Sequence, residues 1–205
     1  MTPEYWDEAK TFLSKKDKVL ARIIAGYEGE MMMKKGDAFY TLARAIVGQQ
    51  ISVKAADSVW AKFSKQAGKV TPKNILAASE KDLRACGLSG QKVAYMHSLA
   101  THFTQEKAKV KRWPKMDDDE LLADITSIKG IGTWTAEMFM IFHLGRSDIF
   151  PIKDLGLQKA MFRHYHKSEK VLLGQLSARA EAWRPYRSVA TWYLWRSLDP
   201  VPVEY

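Results

Sequence analysis

Residues 127–136 read Ser127-Ile128-Lys129-Gly130-Ile131-Gly132-Thr133-Trp134-Thr135-Ala136, followed after a short loop by Pro151-Ile152-Lys153-Asp154. Two glycines one residue apart, with a polar helical pattern before them and an apolar one after, predict a hairpin too tight for side chains at its tip. Glycine supplies φ > 0 there and lets another backbone come close. A helix opening at Thr133 then points unsatisfied N–H groups, and the positive end of its dipole, outward from that bare tip, which makes it an anion site. Backbone amides hold a phosphate of any nucleotide, so this tip is expected to grip nucleic acid without reading sequence.

The rest of the chain fits a helical frame. Its 205 residues suffice for one domain or two small lobes with a sizeable core. Helix formers dominate and no run alternates as a strand does, so the fold class is all-α. Lys and Arg outnumber Asp and Glu by 32 to 23, and the net charge of +9 favours a polyanionic partner. Cys86 is the only cysteine, which excludes a disulfide within the chain and a four-cysteine iron–sulfur cluster. It reads as a small buried hydrophobe, and its solitude suggests a reducing compartment. The first sixteen residues carry Glu4, Asp7, Glu8 and Lys10 among aromatics, unlike a signal peptide, and no apolar run is long enough for a membrane span.

In chain order, Pro3–Ser14 reads as a helix with Pro3 near its start, and Asp17 caps a second one ending near Gly26. The Met31-Met32-Met33 run reads as an adaptable packing patch. Asp37 caps a helix with Phe39, Leu42, Ala43, Ile46 and Val47 on one face. Gly48-Gln49-Gln50 stops it, and Ser52 caps the next helix, Val53–Phe63, leaving both glutamines at an exposed corner. Thr71-Pro72 opens a helix, and Ser79-Glu80-Lys81-Asp82 resembles a capping box before one that Gly87 ends. Leu88-Ser89-Gly90-Gln91-Lys92 repeats the small-residue hairpin before a helix at Val93–Phe103, offering a second phosphate contact through Ser89, Gly90 or Lys92. Lys107–Lys115 reads as a basic connection. Asp117-Asp118-Asp119-Glu120 suits the first turn of the next helix better than a metal site. Ala136–Leu144 is apolar nearly all round, as a buried helix is, with Gly145 closing it. None of His97, His102, His143, His164 and His166 forms a zinc-type pair. Asp154 lies at the N-cap of a helix over Leu155–Tyr165, where the dipole favours a charged carboxylate, and Arg187–Leu198 forms the last helix.

Ile128–Ala136 with Asp154 resembles the helix-hairpin-helix motif and downstream aspartate of a superfamily of base-excision DNA glycosylases, in particular the 3-methyladenine DNA glycosylase II type. Arg44-Ala45-Ile46-Val47-Gly48-Gln49-Gln50-Ile51-Ser52 resembles that family's lesion-wedge loop. Trp183-Arg184-Pro185-Tyr186-Arg187-Ser188 resembles its penultimate helix, so the likeness covers about Phe39 to Trp195.

The resemblance implies a two-lobed, all-α glycosylase with its active site in the inter-lobe cleft. One lobe would span 37–144, and 1–36 plus 145–205 would form the other. Asp154 would be the catalytic carboxylate, stabilising positive charge on the sugar while a flipped alkylated purine leaves. Trp134, Trp195, Met138 and Tyr40 would line the base pocket. Met138 replaces an aromatic of the relatives, which bears on the lesions accepted. Gln50 would be the wedge, with Ser52, Lys129, Gly130, Gly132, Thr133, Ser89 and Lys92 also on DNA. The carbonyls of Thr126, Ile128 and Ile131 would hold Na+ or K+. No organic cofactor or iron–sulfur cluster is expected, and a cytoplasmic monomer acting on duplex DNA is. Trp134 stands where strand-nicking relatives carry a lysine, so lyase chemistry is not expected. The alternative is a damage-binding module that uses the same hairpin without catalysis.

Overall fold

The computed structural model describes residues 2–32, 36–167 and 169–198, and all regular structure among them is helical. In order the α-helices are α1 (Trp6–Lys16), α2 (Lys18–Gly26), α3 (Ala38–Gly48), α4 (Val53–Ala67), α5 (Pro72–Ala77), α6 (Glu80–Ala85), α7 (Gly90–Gln105) and α8 (Lys107–Val110). They continue as α9 (Asp118–Ser127), α10 (Thr133–Phe139), α11 (Leu155–Tyr165), α12 (Leu173–Ala180) and α13 (Arg187–Arg196). Short 3-10 turns cover Trp113–Lys115 and Glu181–Trp183.

The starts follow local capping chemistry. Asp17, Asp37, Ser52, Thr71, Ser79, Asp117 and Asp154 each accept a backbone N–H from the first turn of the helix they precede. Departures lie where the sequence has no cap. The first helix begins at Trp6, whose amide donates to the Pro3 carbonyl 3.1 Å away, so Pro3 makes a preceding turn. The Lys107–Lys115 connection is partly helical. Residues 183–188 do not form one helix: Trp183 ends a 3-10 turn, Arg184–Tyr186 connect, and Arg187 and Ser188 open α13, while the penultimate helix is α12, which the sequence reading did not foresee.

The chain divides into two compact units, one of residues 36–139 and one of residues 1–35 with 140–205. The second boundary therefore falls before Met140 and not after Leu144. There the α-helix gives way to a π-helical turn, Met140–Leu144, closed by the Arg146 amide on the Met140 carbonyl at 2.9 Å. A π turn inserts a residue and rotates the buried face, so the two parts of this helix serve different cores.

In residues 36–139, Phe39, Phe103, Trp113 and Phe139 run edge to face at centroid separations of 5.3, 5.3 and 5.7 Å. In the other unit, Trp6 of α1 meets Trp192 edge-on at 5.1 Å and stacks on Tyr193 at 5.6 Å, joining α1 to α13. Such pairs add about 1 kcal/mol each beyond their area. Met32 is buried and Met31 half exposed; Met33 lies outside the described residues. Cys86 is buried, and burial pushes its thiol above the usual range.

Candidate functional site

The hairpin between α9 and α10 forms as its sequence requires, though its two glycines do different work. Gly130 has φ +96°, and a Cβ there would collide with the Tyr95 ring, so turn and packing both demand glycine. Gly132 has no positive φ, and a Cβ there would meet nothing within 4 Å. The fold itself imposes no steric need for this second glycine. Ile131 is buried beneath the tip, while Gly132, Thr133 and Trp134 are exposed. The Lys129 amide donates to Ser98 Oγ at 3.1 Å and is spent on the fold. Among the described residues the amides of Gly130, Gly132 and Thr133 have no acceptor.

A second turn between α6 and α7 has the same form. Gly87 has φ +99°, Leu88 is buried, and Ser89 stands where Gly132 does. Here, however, Ser89 Oγ accepts the Lys92 amide at 3.2 Å, so α7 caps itself and starts at Gly90, earlier than its apolar pattern suggested. The Lys92 ammonium donates to the Val47 carbonyl at the end of α3, 2.7 Å away, and burial lowers its pKa. Both groups assigned to DNA from the sequence thus have partners inside the chain. Gly132, in the equivalent place, has no hydroxyl with which to cap the first hairpin in the same way.

The corner between α3 and α4 sits in this same unit. Gln50 is exposed with φ +57°, a left-handed conformation that costs a non-glycine residue about 1 kcal/mol or more. Exposed Ile51, Ser52 and Val53 follow it, Ser52 capping α4. Gln49, expected to share the exposed corner, instead donates its side-chain amide to the Gly130 carbonyl at 2.8 Å. Trp134 and Met138 lie four residues apart on one face of α10, Trp134 41% exposed and Met138 buried. Tyr40 is exposed on α3, edge-on to Trp60, and its hydroxyl accepts the Trp60 indole N–H at 3.1 Å.

Asp154 belongs to the other unit. It caps α11, its Oδ1 accepting the Leu157 amide at 2.6 Å, and is 8% exposed. The Trp195 indole N–H donates to the same oxygen at 2.8 Å. Trp195 stacks on Phe142 with centroids 6.0 Å apart and planes 18° from parallel, so one face of the ring anticipated as a base platform is covered. Gly156 leaves just enough room: a Cβ there would lie 3.1 Å from Asp154 Oδ1 and 3.4 Å from the indole. Phe142 and Gly156 escaped the sequence reading, because apolar and small residues in helices carry no chemical signal of their own.

The loop leading to Asp154 is pinned by the Trp183–Ser188 stretch. Arg187 grips Asp148 through Nε at 2.7 Å and Nη2 at 3.1 Å, and Arg184 reaches the same carboxylate at 2.6 Å. Ser188 donates its amide to the Ser147 carbonyl and accepts the Ile149 amide, both at 2.9 Å. The Asp154 amide then closes a turn on the Pro151 carbonyl at 2.8 Å. Bidentate arginine contacts hold geometry as well as charge, which fixes the path of the chain into the carboxylate.

A second buried carboxylate, Asp124, was unforeseen. It accepts the Trp113 indole N–H at 2.6 Å and the Lys109 ammonium at 2.6 Å, with His102 3.6 Å away. Burial alone would raise its pKa, but the Lys109 and Trp113 hydrogen bonds and the nearby positive charges carry it below the usual carboxylate range. Among the described residues, no group of three or more His, Cys, Asp or Glu could hold a metal ion.

One unit thus carries a glycine hairpin and the other an N-cap carboxylate held by a pinned loop. The profile of the HhH-GPD superfamily of base excision DNA repair proteins matches residues 43–185, and the chain belongs to that superfamily. Within it, the chain is similar to proteins that act on alkylated DNA. DNA-3-methyladenine glycosylase 1 of Schizosaccharomyces pombe is 32% identical over 88% of this chain and 81% of its own length. The solved DNA-3-methyladenine glycosidase of Bacillus halodurans, 32% identical, superposes with a TM-score of 0.86 over 93% of this chain and 88% of its own. The S. pombe enzyme Mag1 in complex with abasic DNA, 28% identical, gives 0.76 over 97% and 100%.

Proposed function

We propose that this protein is a monofunctional DNA glycosylase that flips alkylated purines of the 3-methyladenine and 7-methylguanine type out of duplex DNA and hydrolyses their N-glycosidic bonds. The observation that carries this reading is Asp154, fixed at a helix N-cap by two neutral donors, the Leu157 amide and the Trp195 indole.

Cleaving the bond builds positive charge on the deoxyribose, as glycoside hydrolysis passes through an oxocarbenium-like state. A carboxylate already held in place stabilises that charge without reorganising as it develops, an effect worth about 3 kcal/mol or more. It also orients the attacking water. An N-alkylated purine is itself cationic and leaves unprotonated, so a general acid is not needed. The tryptophan at position 134, 41% exposed, is of the side-chain type on which a cationic base stacks more favourably than a neutral one. The open amides at Gly130, Gly132 and Thr133 take a strand phosphate, and Gln50 enters the duplex as the base turns out. A sodium or potassium ion on the Thr126, Ile128 and Ile131 carbonyls belongs to the same reading; Ile128 already accepts the Ile131 amide at 3.0 Å, leaving its second lone pair for the ion. Trp134 in place of a lysine supports hydrolysis without strand nicking.

The test is release of methylated purine from duplex DNA by wild type and by Asp154→Asn. The variant is expected to lose nearly all release while still binding abasic duplex; release at the wild-type rate would defeat the enzymatic reading and favour a damage-binding module. Borohydride trapping should yield no covalent adduct, and an adduct would overturn the monofunctional assignment.

A further inference from the structure

We infer that Gln49 is a positioning residue that locks the duplex-entering corner to the phosphate-gripping hairpin, so that the two meet DNA at one fixed spacing. This rests on the function proposed above and assigns a role to a side chain that touches no substrate.

Three bonds within residues 36–139 make the argument. Gln49 Nε2 donates to the Gly130 carbonyl at 2.8 Å, joining points 81 residues apart in the chain. From α7, Lys92 holds the end of α3 through the Val47 carbonyl at 2.7 Å. Also from α7, Ser98 accepts the Lys129 amide at 3.1 Å, and the Tyr95 ring lies against Gly130. Helix α7 therefore braces both the corner and the hairpin, and Gln49 closes the triangle directly between them. The residue that follows it is Gln50, held in a left-handed conformation at φ +57°. Such a backbone persists only where its surroundings over-determine it, and the anchored Gln49 is its immediate neighbour.

The consequence is mechanical. Turning a base out of a duplex costs a few kcal/mol, and a wedge that recoils as it enters does not deliver that work. Tying the wedge to a hairpin that holds the strand sets the force against a fixed point. A misplacement of about 1 Å in such an arrangement costs on the order of 100-fold in rate.

The test uses Gln49→Glu, which keeps the length and shape but cannot donate, and Gln49→Met, which keeps the length without polarity or charge. Both should lower excision from fully paired methylated duplex at least tenfold. With the lesion placed opposite a non-pairing residue, where less work is needed, the loss should shrink below threefold. In Gln49→Met, which adds no charge, the salt dependence of binding to undamaged duplex should not change, because the phosphate contacts are the same. Equal losses on both substrates, or no loss on either, would overturn the inference. An independent readout is amide exchange of the free protein: the two bonded amides of the hairpin, Lys129 on Ser98 Oγ and Ile131 on the Ile128 carbonyl, should exchange at least tenfold faster in Gln49→Met, and an unchanged rate would sink the brace. Exchange reports on the brace even if wild type releases no base, an outcome that would defeat the excision reading alone.

Discussion

Each unit buries one aspartate against the N–H of a tryptophan, and the two sites are built to opposite ends. Asp124, within α9, faces the Lys109 ammonium as well as the Trp113 indole. Its charge is answered by a cation, and the cluster ties α8, the Trp113 turn and α9 together. Asp154, at the mouth of α11, accepts from two neutral donors, the Leu157 amide and the Trp195 indole. The contrast is between a carboxylate that joins three helical segments through a cation and one that caps a single helix at the place the proposed chemistry requires.

The sharpest way to break this contrast is to remove each charge in turn. Asp154→Asn should cut excision at least 100-fold, the scale of losing one preorganised electrostatic group. Asp124→Asn should leave excision per folded molecule within threefold in the same assay. Stability should invert that order. Asp124→Ala is expected to cost about 2–3 kcal/mol in urea unfolding, as hydrogen bonds to charged groups do, with the Trp113 indole deprived of this acceptor. Asp154→Ala should cost less, about 1–2 kcal/mol, for the lost N-cap and for the Trp195 indole deprived of this acceptor. A large stability loss at Asp154 with excision intact would reverse the assignment.

The indoles sharpen the comparison further. Trp195→Phe removes a donor to the proposed catalytic oxygen and should lower kcat about tenfold, or about 1.4 kcal/mol, with abasic-DNA affinity kept. Trp113→Phe should reduce stability by about 1 kcal/mol and leave kcat unchanged. Gly156→Ala places a methyl 3.1 Å from Asp154 Oδ1, and a several-fold loss of kcat is expected as carboxylate and indole shift apart. Smallest is the pH effect. Asp124 has a lower pKa folded than its ordinary value of 3.8, so its stabilisation is present above that value and lost as pH falls through the folded one. Urea midpoints between pH 7 and pH 3 should therefore converge for wild type and Asp124→Asn toward the acid end.

The capping residues, the Gly130 turn and the candidate aspartate were legible because each rests on neighbours within about four positions, where backbone geometry and side-chain chemistry are set locally. The Trp183–Ser188 stretch stood out too, but as a helix, when its work is to clamp the loop before Asp154. Its arginines find Asp148 only across a gap of more than thirty residues.

By itself, then, the sequence determined an all-helical chain, where most helices begin, and which hairpin lacks a capping side chain. Tertiary structure alone decided that the Lys92 ammonium is spent on the Val47 carbonyl, that Gln49 reaches the hairpin, and that Trp195 steadies Asp154 from 41 residues away. The reason is physical: a cap is satisfied by the next turn of its own helix. The partner of a long polar side chain or an indole N–H is fixed only when packing brings distant segments within 3 Å, and no local pattern encodes that distance.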